Sequence, residues 1–417
     1  MEEKTEAFET SFPLNQIKVL LLEGIDQEAI SYFVSLGFTV ESIPKITQEE
    51  LILKISDAHV VGVRSKTKLD KTVLSHAKKL LCVGCFCIGT DQTDLEYAAE
   101  RGIPVFNVIK IDGCTKENLS KLNNKKKEKG ERHVYTTTKN NCNKQRFRGK
   151  TMGIIGYGHV GSQLSVLAEA MGMNVIYYDV IPKLPLGNAV AKGSIDEILE
   201  QSHFVSLHVP YTPDTHEMIG KSQIAKMKKG SYLMNAARGK CVDIKAAADA
   251  LKNGHLGGAY FDVYPTEPTD ANLPLCNCPN TILTPHIGGS TMEAQKAIGL
   301  EVAEKIGRFI NEGRTIAAVN FPEISLPPNL SAHRILNVHK NVPGVMRKTM
   351  EILCNYNISA QALKTASDIG YMLIEVDADK KLSREVRKQM NALPETICTR
   401  IVYSPGAINS DASKNKK

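Results

Sequence analysis

Residues 151–179, TMGIIGYGHVGSQLSVLAEAMGMNVIYYD, restrict the fold more than any other stretch of the 417-residue chain. An apolar run of strand length at 152–155 is followed by Gly156, Gly158 and Gly161 in the spacing G-x-G-x-x-G. Leu164, Leu167 and Met171 then recur at the helical interval, and residues 174–178 return to β-rich types before Asp179. Each part has a task in holding a dinucleotide. Gly156 permits the tight turn, Gly158 removes a side chain where backbone must approach a pyrophosphate, and Gly161 lets the helix pack close on the strand. The helix N-terminus offers N–H groups and a positive dipole end to the phosphates. Asp179, about 20 residues on, is placed to accept from a ribose 2′-OH and to repel a 2′-phosphate, which favours NAD over NADP.

Charge decides whether a nucleic-acid reading competes. The formal net charge is +7. Residues 116–150 hold twelve Lys or Arg against Glu117, Glu128 and Glu131, so this one segment makes the chain basic and the remainder carries −2. The segment 108–148 has no sustained periodicity and is dominated by Lys and Asn, a composition of disordered chain or of a long surface loop. No aromatic platform accompanies its charges, so nucleic acid is not the expected partner. The polar, acidic start and the absence of any apolar run near ~20 residues predict a cytoplasmic protein without a membrane span. Ten cysteines in such a chain read as reduced thiols, and the C-x-C pairs at Cys85 and Cys276 have the wrong spacing for zinc knuckles, so no metal is expected.

Before and after the glycine turn, strands alternate with helices, the pattern of parallel sheets covered by helices. Predicted strands lie at 17–23, 38–43, 60–63, 81–83 and 105–107, then at 204–209, 231–236, 258–263 and 281–284. Ligands of open α/β sheets bind beyond the carboxyl ends of strands. Arg238, Asp262 and His286 fall at or just after such ends, with Glu267 in the loop behind Asp262. Ser290 with Glu293 predicts a capping box for the next helix, which ends at Gly313, and 312–328 reads as a linker. The final block, strands at 334–339, 358–364, 371–376 and 396–403 with helices at 345–354 and 383–393, is β-α-β-β-α-β, the ferredoxin-like order.

The segments VRSKT (63–67), GCFCIGTDQTDL (84–95), GIIGYGHVGSQL, NAARG, DVYPTEP and LTPHIGGSTMEAQ together resemble the D-3-phosphoglycerate dehydrogenase branch of the D-2-hydroxyacid dehydrogenases. The resemblance implies two doubly wound domains, a Rossmann-type NAD domain and a flavodoxin-like substrate domain, plus a ferredoxin-like ACT regulatory domain. It divides the chain into 12–107 (substrate domain, first part), 149–289 (NAD domain), 290–328 (return and linker), 332–404 (ACT domain) and 405–417 (tail). The implied reaction is NAD-dependent oxidation of 3-phosphoglycerate, the first step of serine synthesis. His286 is the implied acid/base, and histidine suits this because its ordinary pKa lies near working pH. Glu267 would orient it, and Arg238 would hold the substrate carboxylate through its planar donor fork. Asp262 corresponds to the residue that meets the nicotinamide carboxamide. His159, Val160, His208, Pro210, Ala236, Ala237, Gly288 and Gly289 match cofactor-lining positions, with a structural role for His208 equally open. Arg64, Ser65 and Gln295 match the polar substrate pocket.

In the last block, His339, Asn341 and Asn357 match positions that bind L-serine as effector between subunits, which implies a homo-oligomer, a dimer or tetramer. An ACT fold used only for assembly stays open beside this. The resemblance fails over 108–148, where the family carries a Ser/Asn-rich substrate loop and a long apolar helix. Replacement at similar length, with sharp return of the pattern at Arg148, suggests a shifted reading frame. If the segment is genuine, an NAD-binding protein without turnover, of pseudoenzyme or corepressor type, is the alternative.

Overall fold

Strands buried on both faces read as unbroken apolar runs, and this computed structural model places them accordingly in three sheets. It describes residues 14–108, 147–267, 269, 272–327, 333–377 and 380–403; the expectations for 109–146 and for the tail beyond 403 lie outside these. The chain divides into two compact units, Met1–Ile109 with Gln295–Lys417, and Lys110–Ala294. Among the described residues no helix is long and apolar enough to cross a membrane.

The first unit holds two sheets. Strands β1 (Lys18–Leu22), β2 (Thr39–Ile43), β3 (Val60–Val63), β4 (Cys82–Cys85) and β5 (Val105–Phe106) form a parallel sheet in the order β2-β1-β3-β4-β5. Helices between them begin at capping side chains: Asp26 accepts from the Glu28 amide, Thr47 and Glu50 form a full capping box, and Asp70 and Asp94 accept from Val73 and Tyr97. Such caps each contribute about 1 kcal/mol and fix where each helix leaves its strand.

The second unit holds β6 (Thr151–Ile155), β7 (Asn174–Tyr178), β8 (Val190–Ala191), β9 (Phe204–Leu207), β10 (Ser231–Asn235), β11 (Leu256–Phe261) and β12 (Thr281–Leu283). They are all parallel, in the order β12-β11-β10-β9-β6-β7-β8. The order reverses at β6, which lies between β7 and β9, so the turn after β6 opens at the switch point where doubly wound sheets take ligands. Strand β8, two exposed residues, is too short to stand out and escapes a sequence reading.

The helix Met292–Glu312 follows. Its cap differs from expectation: Thr291 Oγ1, not Ser290, accepts the Ala294 amide at 3.2 Å, because the Ser290 hydroxyl donates to His286 O at 3.2 Å. The stretch behind it is an ordered strap on the first sheet. Asn320 Oδ1 accepts the Val105 amide at 2.8 Å, its Nδ2 donates to Ile103 O at 3.0 Å, and Ala318 bridges Phe106.

The C-terminal module has β13 (His333–Lys340), β14 (Asn357–Ala366), β15 (Ile369–Asp377) and β16 (Thr396–Tyr403) in an antiparallel sheet of order β14-β15-β13-β16, with helices Val345–Leu353 and Lys380–Asn391. Ile335, Leu353, Met372, Ile374, Val386 and Ile401 form its core. The module is tied to the rest of the first unit by Tyr371 Oη, which donates to Gly313 O at 2.7 Å, and by Arg334, which donates to Glu312 O at 2.8 Å.

Candidate active site

The glycine turn is built for close backbone approach. Gly156 has φ +91°, and a Cβ there would stand 2.5 Å from His208 O. A Cβ at Gly161 would stand 2.1 Å from Gly156 O, so the helix His159–Ala170 can start against the strand only without one. Gly158 differs: a Cβ would meet nothing within 4 Å. The protein's own packing does not require that glycine, whereas an approaching pyrophosphate does. Gly158 is also the N-cap of that helix and supplies no side-chain hydrogen bond to it. The positive end of the helix dipole is thus left to a ligand.

Asp179 is fixed beside this turn. Its Oδ2 accepts the Tyr157 amide at 2.7 Å and its Oδ1 the Ile181 amide at 2.9 Å. His159 and Val160 lie exposed in the first helical turn. These residues fit a dinucleotide. His208 sits behind the turn: its ring is hydrogen-bonded to Ser206 Oγ at 2.9 Å, burial pushes its pKa down to about 4, and its carbonyl packs on Gly156. Its visible work is to support the turn. Pro210, exposed, accepts Thr215 Oγ1 through its carbonyl at 2.8 Å.

The carboxyl ends of β10, β11 and β12 gather the second set. After β10, Asn235 Oδ1 accepts the Ala237 amide at 3.1 Å and Asn235 Nδ2 donates to Arg238 O at 3.0 Å, which folds Ala236, Ala237 and Arg238 into a fixed turn. Gly239 packs that turn against the loop after β11, where a Cβ would stand 1.9 Å from the Tyr264 carbonyl carbon. Arg238 is thereby held on the same edge as Glu267. Asp262, 2% exposed, follows β11 directly. Its Oδ1 accepts from Thr284 Oγ1 at 2.5 Å and the Ile287 amide at 2.9 Å, and its Oδ2 accepts the Gly288 amide at 2.9 Å. One buried carboxylate therefore sets the path of the loop that carries His286.

His286 has φ +54°, in the left-handed region that non-glycine residues rarely occupy, at a cost of about 1–3 kcal/mol. The three bonds to Asp262 offset it. The ring's Nδ1 lies 2.7 Å from Glu267 Oε2, and Glu267 Oε1 accepts the Tyr264 amide at 3.0 Å. A carboxylate at Nδ1 selects the tautomer with the proton there, so the lone pair for chemistry is on Nε2. A half-exposed imidazole oriented by a doubly anchored carboxylate is an acid/base arrangement.

Residues 117–288 match the family model for the D-isomer specific 2-hydroxyacid dehydrogenase NAD binding domain, and residues 335–398 match the AHAS small subunit-like ACT domain. The D-3-phosphoglycerate dehydrogenase of Dictyostelium discoideum is 51% identical over 407 residues, covering 94% of this chain and 99% of that one. The chain belongs to the D-3-phosphoglycerate dehydrogenase family. The Escherichia coli K12 relative is 44% identical over the same 94% of this chain and 99% of its own. Among solved structures, the NAD⁺-bound 3-phosphoglycerate dehydrogenase of Entamoeba histolytica aligns with TM-score 0.58 at 25% identity, over 73% of this chain and 99% of that one. The D-lactate dehydrogenase of Aquifex aeolicus, complexed with NAD and lactic acid, aligns at 0.59 and 26%, over 73% and 100%. Chains of this family are NAD-dependent D-2-hydroxyacid dehydrogenases, and the second unit here is the NAD-binding domain.

The other residues expected in a phosphoglycerate dehydrogenase site lie in the first unit. Arg64 and Ser65 follow β3, and Gln295 sits in the first turn of the helix Met292–Glu312. Two residues that the sequence reading missed hold the Arg64 turn. Glu23, at φ +64°, accepts the amides of Arg64, Lys66 and Thr67 at 3.3, 3.0 and 2.7 Å, and Gln92 Nε2 donates to Arg64 O at 2.6 Å. The available signal was a lone acid before a glycine at the carboxyl end of β1.

In the ACT domain the three expected effector residues do not meet. His339 is buried at the end of β13, bonded to Asn337 Oδ1 at 2.9 Å, and Asn341 Nδ2 donates to Ser367 O at 3.0 Å just beyond it. Asn357 opens β14 opposite Asp377, at the His333 end of the sheet. Eight residues of strand, roughly 26 Å at about 3.3 Å each, separate the two ends.

Proposed function

We propose that the chain catalyses the NAD-dependent oxidation of 3-phospho-D-glycerate to 3-phosphohydroxypyruvate, the first step of L-serine synthesis. The observation that carries this is the His286 Nδ1 to Glu267 Oε2 contact of 2.7 Å, which leaves Nε2 to take the proton of a C2 hydroxyl. When bound, NAD supplies the acceptor for the C2 hydride. The turn of Gly156, Gly158 and Gly161 and the helix N-terminus hold its pyrophosphate, Asp179 its adenosine ribose, and Ala236, Ala237, Gly288 and Gly289 border it. Asp262 acts first on the 284–288 loop and through it on the nicotinamide end. Arg238 binds the substrate carboxylate, and Arg64, Ser65 and Gln295 take the phosphate. As proton and hydride leave C2, positive charge grows on the imidazole, and Glu267 stabilises it where it forms.

In this reading residues 12–107 and 290–328 make a flavodoxin-like substrate domain, 149–289 the Rossmann domain and 332–404 a ferredoxin-like regulatory domain. The effector is L-serine, taken between ACT domains of two copies in a homo-oligomer, since His339 and Asn341 of one copy stand far from its own Asn357. NADH formation by the purified chain with 3-phosphoglycerate tests the reaction. NAD binding without turnover would instead support a non-catalytic NAD-responsive protein, the reading that the Lys/Asn-rich composition of 108–148 favours.

A further inference from the structure

Between the first sheet's lobe and the C-terminal module of the same unit lies a cavity of about 360 Å³, apart from the residues assigned to hydride transfer. Five cationic side chains line it: Lys78, Lys79 and Arg101 from the lobe, Arg387 and Arg400 from the module. Among the described residues no carboxylate lines it. Lys79 is offset by Asp57 at 2.6 Å. The two best-defined arginines are held by neutral groups. Arg101 donates to Leu74 O and, at 3.0 Å, to Ala77 O. Arg400 donates to Phe309 O at 2.7 Å and lies over the Phe309 ring at 4.8 Å. Carbonyls and rings satisfy donors but leave the net charge in place.

The same module shows the alternative. Arg334, 5% exposed, puts Nε 3.1 Å from Glu375 Oε1 and Nη2 on the same oxygen. A guanidinium buried only for structure is thus given a carboxylate here, whereas the part-buried Arg101 and Arg400 are held by backbone carbonyls. Removing charge from water without an opposite charge is costly, and an anion entering the cavity removes that cost.

We propose that this cavity binds a small phosphate-bearing organic anion. A phosphate offers three oxygens to forks arriving from both walls and offsets two charges at once. The volume lies in the range of small-molecule sites, and Tyr371 and Phe309 give the remainder of the ligand an apolar wall. Because the cations come from both lobe and module, the ligand clamps one to the other.

Calorimetric titration of the full chain with inorganic pyrophosphate, at saturating NADH and constant ionic strength, tests the site. Binding is expected to weaken about tenfold or more in Arg400→Gln or Arg101→Gln, which each remove a charge-assisted contact, and about threefold in Lys78→Gln. Lys78 is exposed at the rim, so its replacement leaves the packing intact and carries the test should an arginine variant unfold. No binding heat in the native chain would overturn the proposal. So would affinity that falls in Arg64→Gln and holds in the three cavity variants.

Discussion

His286 and Glu267 are joined at 2.7 Å through Nδ1 and Oε2, and the second oxygen of Glu267 is taken by the Tyr264 amide. The carboxylate is therefore fixed before it orients the ring. General acid–base catalysis contributes about 10²- to 10⁴-fold. His286→Ala should lower kcat for NADH formation by that order, and Glu267→Gln by less, since the amide keeps an oxygen for one of the two contacts. A His286→Ala enzyme turning over at the native rate refutes the assignment.

Glu23 acts on Arg64 without touching its side chain. Its carboxylate accepts three amides of the turn, and Gln at that position loses one acceptor oxygen, a charge-assisted loss of about 1.5–3 kcal/mol. If Arg64 takes the substrate phosphate, Glu23→Gln should raise KM for 3-phosphoglycerate about tenfold and leave kcat within about twofold. Steady-state kinetics separates the two constants. An equal fall in kcat with KM unmoved would make Glu23 a general stabiliser of the lobe instead.

Two histidines, His59 fully buried and His208 partly so, give the chain an acid-sensitive stability. Burial pushes His59 and His208 down to about 4 from an ordinary 6.5. His59 Nδ1 accepts the Lys18 amide at 3.1 Å, which a protonated nitrogen cannot do. Below pH 6.5 the unfolded chain takes up these protons while the native chain refuses them until near pH 4. Stability is thus full above 6.5 and falls as pH drops towards 4, by up to about 3 kcal/mol for each histidine. The two lie in different units, so thermal melts at pH 7 and pH 4.5 should show both units weakened. His59→Asn, which keeps an acceptor and cannot titrate, should relieve the first unit alone; an unchanged pH dependence counts against this account.

What the sequence disclosed and what it hid divide along range. Strands such as β3 (VVGV) and β4 (CVGC) are buried on both sides and stand out as apolar runs, and the glycine turn announces itself by spacing. The positions of Arg238, Asp262 and His286 at or just after strand ends were legible because the strands themselves stand out, and strand ends are where such sheets place ligands. Glu23 and Gln92 were not, since their partners lie 28 to 44 residues away and the one local mark, an acid before Gly24, does not say what Glu23 holds. Ser290 was misread because two adjacent hydroxyls compete for one cap, and only the fold shows that His286 O claims the first. Likewise, the distance between Asn341 and Asn357 follows from antiparallel pairing, which a list of matching positions does not contain.

The Lys/Asn-rich stretch is a test of the coding sequence itself. By motif, the family's Ser/Asn-rich loop and apolar helix are missing between residue 107 and Arg148, although the family match itself begins at residue 117. A shifted frame predicts that tryptic peptide masses from the native source will lack the peptides encoded by 109–146 and carry an apolar, Ser/Asn-containing replacement. Recovery of the lysine-rich peptides would show the segment to be genuine.

The placement of the proposed effector residues predicts more than loss of inhibition in single variants. Asn341 lies beyond the Lys340 end of β13 and Asn357 at the His333 end, so one copy alone cannot bring them to a single serine. Across a two-fold pair of ACT domains each site would take Asn341 from one copy and Asn357 from its partner. Asn341→Ala and Asn357→Ala enzymes should each lose serine inhibition. In a hybrid dimer of the two, one site carries both substitutions and the other carries neither. Co-assembled hybrids should therefore regain inhibition at one intact site, read as partial loss of NADH formation on serine titration. Hybrids as insensitive as their parents would place the effector site within one copy, or remove serine as the effector.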